Sequence, residues 1–164
     1  ANKFVGEATG KNPNFINVPV IGGHAGETIL PLFSQDKVGK LVEAEKVPDL
    51  DKKVQEAGTE VVNAKGGKGS ATLSMAYAGA RLGKAVLAGM LGRKRLECAY
   101  CASTNTDLPY FAQKVVFGEG GITKVLPLGE LNEHETKRLE ALKSVLKGEI
   151  ETGLKYAEAN ELAA

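Results

Sequence analysis

Surplus charge of either sign is missing from this sequence. Its 164 residues carry 21 Lys and Arg against 20 Asp and Glu, a formal net charge of +1 at pH 7. That balance leaves no electrostatic footprint for nucleic acid or for an acidic membrane surface. No apolar run is long enough to span a bilayer. The start, Ala1-Asn2-Lys3-Phe4, lacks the basic end and apolar stretch of a secretory leader. It lacks a methionine too, so the chain is expected to be processed or to begin inside a longer one. The compartment is not readable, and the end, Glu161-Leu162-Ala163-Ala164, is not a peroxisomal address.

Cysteine is limited to Cys98 and Cys101, spaced C-x-x-C. That spacing suits a redox pair or half of a zinc site. Here no second pair exists, and Leu96 to Ala102 reads as a strand, on which residues three apart point to opposite faces. The expectation is two buried free thiols and no metal site.

Complete glycine motifs are absent as well. Gly66-Gly67-Lys68-Gly69-Ser70 falls short of a phosphate loop, because Gly69 separates Lys68 from Ser70 and Val62 stands where the first glycine belongs. Gly118-Glu119-Gly120-Gly121-Ile122-Thr123 fails the dinucleotide fingerprint: its last position is threonine and it joins strand to strand. The chain therefore has no cofactor-cradling loop of its own. Gly92-Arg93-Lys94-Arg95 is a basic turn without interleaved aromatics and reads as solvated surface.

What is present is ordinary globular usage, 43% hydrophobic and 25% charged. Residues 1–164 make one domain, long enough to bury a core. Ala1 to about Thr9 is predicted as a short helix ended by Gly10, and Asn12-Pro13-Asn14 as a turn. Phe15 to Ile21 reads as the first strand. Thr28 to Phe33 reads as extended, with Pro31 pointing to an edge or bulge. Gln35 to Val47 is a polar loop with some helical character.

Pro48 to Ala64 is an amphipathic helix, with Leu50, Val54, Ala57, Val61 and Ala64 at spacings of three and four. Ser70 to Met90 is apolar or small on nearly every side, which predicts a buried helix. Ala112 to Phe117 and Ile122 to Leu128 are strands joined by a glycine hairpin. Asn132 with Glu135 opens the last helix as a capping box; Leu139, Leu142, Val145, Leu146, Ile150 and Leu154 form its buried stripe. His134 is expected to be solvated, and Ala157 to Ala164 to fray. Strands and helices in segregated groups predict an α+β fold with a largely antiparallel sheet.

The stretch that organises the chain is Val18-Pro19-Val20-Ile21-Gly22-Gly23-His24-Ala25-Gly26. A β-branched run leads into glycines that allow tight turns or close approach of a ligand. His24 sits among them with nothing bulky beside it, and an imidazole exchanges a proton near neutral pH. Two readings of His24 stay open on residues alone: an acid/base presented to a substrate, or a surface histidine that merely hydrogen-bonds.

This stretch, with Thr28-Ile29-Leu30-Pro31-Leu32-Phe33-Ser34-Gln35, resembles the active-site loop of the malate dehydrogenases in the lactate/malate dehydrogenase superfamily, of the mitochondrial and bacterial type. Gln55-Glu56-Ala57-Gly58-Thr59-Glu60-Val61-Val62 and Gly69-Ser70-Ala71-Thr72-Leu73-Ser74-Met75-Ala76 are similar to a second block of that family. His24-Ala25-Gly26 looks like the malate rather than the lactate form, which carries an acidic residue there. A related 2-hydroxyacid dehydrogenase is the less favoured reading.

The resemblance implies a twisted antiparallel sheet packed on long helices, the family's C-terminal catalytic domain. It implies hydride transfer between malate and NAD, with His24 as acid/base on the substrate oxygen. By the same resemblance Gly23, Ser70 and Ala71 line the substrate pocket and Met75 contacts the nicotinamide end of NAD. On sequence alone, Met75 could equally be core packing.

The family's N-terminal NAD-binding Rossmann domain is absent from these residues, as are its loop arginines and the aspartate that orients the histidine. None of Arg81, Arg93, Arg95 and Arg138 matches a substrate-binding position. This chain alone is therefore expected to be inactive and to need an upstream Rossmann half. The competing reading is a non-catalytic interaction domain that keeps the fold. In the family the first helix and the Pro48–Ala64 helix lie near the subunit interface. The face left bare of the Rossmann half is expected to be apolar, so homo-oligomers are expected too. The loop type favours a mitochondrial or bacterial cytoplasmic protein.

Overall fold

The computed structural model describes residues 1–160. In chain order these form α1 (Asn2–Thr9), β1 (Val20–Gly22), β2 (Ile29–Pro31), α2 (Val47–Ala64), α3 (Thr72–Met90), β3 (Arg95–Ala102), β4 (Tyr110–Gly118), β5 (Gly121–Val125) and α4 (Glu133–Ala159). Short 3-10 turns fill much of the link between β2 and α2, the stretch expected to be a loop with helical character.

The five strands make one antiparallel sheet in the order β2-β1-β4-β3, with β5 also on β4. This is the α+β architecture expected. Pro31 lies on β2 at the sheet edge, where its missing N–H breaks no ladder bond. β3 pairs with β4 along its whole length, from Ala102↔Tyr110 to Arg95↔Phe117. On β4 the alternate residues Phe111, Gln113, Val115 and Phe117 are buried. The cost of burying Gln113 is offset by hydrogen bonds: its amide donates to the Ala102 carbonyl (2.8 Å) and its oxygen accepts from Asn105 (2.8 Å).

The main core lies between the sheet and α4, where Ile21, Leu30, Leu32, Leu108 and Phe111 meet Leu139, Leu142, Leu146 and Ile150. The last helix thus buries most of the stripe expected of it, although Leu154 is exposed. Its capping box is present: the Asn132 side chain accepts from the Glu135 N–H, and Glu135 accepts from the Asn132 N–H. A second cluster joins Val5, Ile16, Val18, Phe33 and Leu50 beneath α1 and α2.

Six expectations are corrected. The first strand is only Val20–Gly22, and Pro13–Phe15 is a 3-10 turn. The N–H groups that a longer strand would pair go to side chains instead, Asn17 to Asp36 (3.0 Å) and Val18 to Asn2 (3.0 Å), and Pro19 has none. β5 stops at Val125, two residues before Pro127.

α3 is not buried. Only Ala85 and Gly89 are, where the helix crosses β4; Leu73 is 85% exposed and Tyr77 75%. An apolar helix demands a partner, but its composition cannot say whether that partner lies within the same chain. His134, expected to be solvated, is half-buried with Nε2 3.2 Å from Oδ2 of Asp51. The two thiols are free but half-buried rather than buried. Of the tail expected to fray, Ala157 to Ala159 complete α4, and residues 161–164 lie outside the described residues.

Candidate functional site

His24 stands on the short link between β1 and β2, and the link is closed by one buried residue. Thr28 accepts at its carbonyl from the Gly23 N–H (2.8 Å). Its hydroxyl donates to the Ala25 carbonyl (2.6 Å) and accepts from the Ala25 N–H (3.3 Å). The glycines are required by this closure. A Cβ on Gly22, which has φ 101°, would lie 2.1 Å from the Thr28 carbonyl oxygen; one on Gly23 would lie 2.3 Å from its hydroxyl. Gly23 also abuts Leu146 of α4. The result is a hydrogen-bonded backbone carrying an exposed histidine.

His24 and Ala25 open onto a cavity of about 320 Å³, walled by Leu146, Ile150 and Leu154 of α4 and by Tyr100 and Tyr110. The two tyrosine rings stack across β3 and β4 with centroids 6.3 Å apart. Burial pushes the Tyr100 hydroxyl up from its ordinary value, and the nearby Glu149 carboxylate adds to the effect. Glu149 is the charged residue of the lining; among the described residues no lysine or arginine lines it. A dianionic ligand held there would find its countercharges elsewhere.

The other three predicted site residues group together at the start of α3. Ser70 is exposed, with its carbonyl accepting from Lys65 Nζ (2.6 Å). Ala71 is half-buried and its carbonyl accepts from the Met75 N–H (3.1 Å). Met75 is 56% exposed, so it is not core packing within the described residues. His24 with Gly23, and Ser70 with Ala71 and Met75, are thus two separate groups: none of Ser70, Ala71 and Met75 lines the cavity beside His24.

Tyr100, Tyr110 and Glu149 were not found from sequence. The tyrosines meet only through the β3–β4 register, and Glu149 lies off the apolar stripe of α4. Asp51, His134 and Arg138 were missed for the same kind of reason: they join α2 to α4 across more than eighty residues of chain.

Comparison with known proteins adds relatives over nearly the whole chain. Residues 1–157 match the family described as lactate/malate dehydrogenase, alpha/beta C-terminal domain. Mitochondrial malate dehydrogenase 1 of Arabidopsis thaliana is 54% identical over 143 residues, 87% of this chain and 42% of that protein. Glyoxysomal malate dehydrogenase of Cucumis sativus is 50% identical, covering 95% and 44%. The malate dehydrogenase of Idiomarina loihiensis is 46% identical, covering 94% and 49%. The chain spans about half the length of the curated relatives it matches.

Among solved structures, the lactate dehydrogenase of Eimeria maxima with NADH and oxamate superposes with a TM-score of 0.77 at 22% identity, covering 99% of this chain and 51% of that one. The malate dehydrogenase of Salinibacter ruber gives 0.76 at 21%, covering 98% and 52%. At those identities the likeness is one of fold.

Proposed function

We propose, from the premise that this chain belongs to the lactate/malate dehydrogenase family as its alpha/beta C-terminal domain, that it is the catalytic half of an NAD-dependent malate dehydrogenase. The single observation that carries this reading is the 46–54% identity to malate dehydrogenases of plants and a bacterium across most of the chain. An upstream Rossmann half would bind most of the dinucleotide. The described residues offer no cradle for the pyrophosphate of a dinucleotide: their glycine clusters lie between two helices and in a β-hairpin, and neither is a strand-to-helix turn. When bound, the nicotinamide supplies the hydride acceptor for malate oxidation.

The work assigned to this chain is proton transfer. His24 takes the proton of the substrate hydroxyl as the C2 hydride leaves, and returns it to the carbonyl oxygen in the reverse direction. Cancelling charge on that oxygen is worth about 10²–10⁴-fold in rate. The hydrogen bonds that close the Gly22–Thr28 link support this role, since an acid/base must be held in one place. Gly23, Ser70 and Ala71 are assigned to the substrate side and Met75, exposed and apolar, to the nicotinamide. The cavity beside His24 holds no cation, so both substrate carboxylates are assigned to the upstream half. Malate or oxaloacetate is then the ligand of the joined halves, and this chain alone is proposed to be inactive. The relatives include mitochondrial, glyoxysomal and bacterial proteins, so a mitochondrial or bacterial setting rests on the loop type alone.

The test is NADH oxidation by oxaloacetate, with this chain alone and with an upstream Rossmann half supplied. Turnover is expected only in the joined form and should fall at least about 10²-fold in His24→Asn. Turnover untouched by that change would refute the acid/base role.

A second reading, an interaction domain that keeps the fold without the chemistry, is favoured by the bare apolar residues of α3, Leu73, Tyr77 and Leu87 on one side and Met75 on the other. Size-exclusion elution with and without NADH separates the two. Self-association indifferent to NADH, together with no turnover in the joined form, would favour the second.

A further inference from the structure

One arginine ties the loop that carries His24 to two distant helices. Arg138 of α4 donates through Nη2 to the carbonyl of Glu27 (2.9 Å) and to that of Ile29 (3.3 Å), the two residues that flank buried Thr28. Its Nε donates to Oδ2 of Asp51 on α2 (2.8 Å), a carboxylate whose side chain is only 3% exposed. The same oxygen lies 3.2 Å from Nε2 of His134, and Oδ1 accepts from the Gln55 amide (3.0 Å).

Asp51 therefore sets the plane of the guanidinium, and the planar fork then directs a second nitrogen at the two loop carbonyls. Thr28 holds the His24 loop from within, and Arg138 holds it from outside. We propose that Arg138, oriented by Asp51, is a positioning residue for His24. It fixes the 23–29 backbone so that the imidazole leaves from one place, and small displacements of a reacting group cost large factors in rate. The inference rests on the reading of His24 as the acid/base.

The test is amide hydrogen exchange on the 164-residue chain, read by NMR at Gly23, Ala25 and Thr28 and compared with the β3–β4 core. Arg138→Lys keeps a cation for Asp51 but cannot also serve two carbonyls. It is expected to speed exchange at the three loop amides on the order of tenfold while the β3–β4 amides stay as they are. Arg138→Met, where it folds, should do the same or more.

Wild-type protection at the loop in Arg138→Lys would overturn the inference. So would an acceleration spread evenly over the chain, which would make the cluster a general brace, and so would a loop already unprotected in the wild type. Exchange requires no turnover, so its result is independent of the kinetic test of His24: a His24→Asn enzyme that still turned over would remove the acid/base reading and leave the measured ordering of the loop untouched.

Discussion

The buried carboxylate of Glu135 accepts both the backbone N–H of Ser34 (2.9 Å) and the Ser34 hydroxyl, across a hundred residues of chain. It also accepts the Asn132 N–H at the start of α4. One side chain thus caps its own helix and ties that helix to the segment that follows β2, the strand beyond the His24 loop. Helix α4, held there and by Arg138, is the frame on which the candidate site is set.

Glu135→Gln should therefore destabilise the chain by about 2–3 kcal/mol. The amide keeps one acceptor oxygen but turns an NH₂ donor toward groups that are themselves donors. A urea unfolding midpoint reads this, and a change of under about 0.5 kcal/mol would mean the contact is incidental.

The glycines of the His24 loop should respond in opposite sense to a glycine that stands free. Gly22→Ala and Gly23→Ala place a methyl within 2.1 Å and 2.3 Å of Thr28 atoms. Each is expected to cost about 1–3 kcal/mol, more at Gly22 because its φ of 101° is also disfavoured for alanine. Gly58, inside α2, has nothing within 4 Å of such a methyl. Gly58→Ala should stabilise by about 0.5–1 kcal/mol through helix propensity. Thermal unfolding of the three variants checks the order.

Acid should selectively remove the contribution of Asp36. Burial alone would raise its pKa, but the N–H groups of Asn17, Gly39 and Val38 outweigh that and hold it below the ordinary value. A lowered folded pKa gives stability that is present above the unfolded value and is lost as pH falls through the folded one. Asp36→Asn should accordingly be less stable than wild type at pH 7 and nearly equal to it at about pH 2. An equal difference at both values would show that the charge is not what the three N–H groups hold.

Cys98 should be a slow thiol. Burial pushes its pKa up, and outweighs the opposing pull of a Val20 backbone hydrogen bond and of Lys114 and Arg81. In a Cys101→Ser chain at about pH 8, a thiol reagent should react with folded Cys98 on the order of tenfold more slowly than with the unfolded chain. Reaction at the unfolded rate would contradict the burial.

Much of the fold could be read from residue patterns because the forces involved are local. The 3.6-residue repeat of Leu139, Leu142, Leu146 and Ile150, the Asn132–Glu135 box, the edge position of Pro31 and the Gly118–Gly121 hairpin each report a rule that operates over a few residues. The candidate site was legible in the same measure. The glycines around His24 announce a tight link, and the tight link is there. Where local rules had to compete with distant partners they failed: Asn17 and Val18 give their N–H groups to Asp36 and Asn2, so the first strand is three residues long.

Local chemistry was thus sufficient to specify the elements, the glycine link and the exposed place of its histidine. Tertiary packing decided what stands beside that histidine. The stacked tyrosines come from strand register, and the Arg138–Asp51 clamp from the crossing of α4 and α2. The bare flank of α3 comes from the want of any described segment to cover it. Each depends on residues far apart in the chain whose meeting no short-range periodicity encodes, because a side chain's own pattern tells which face it needs buried and not what will bury it.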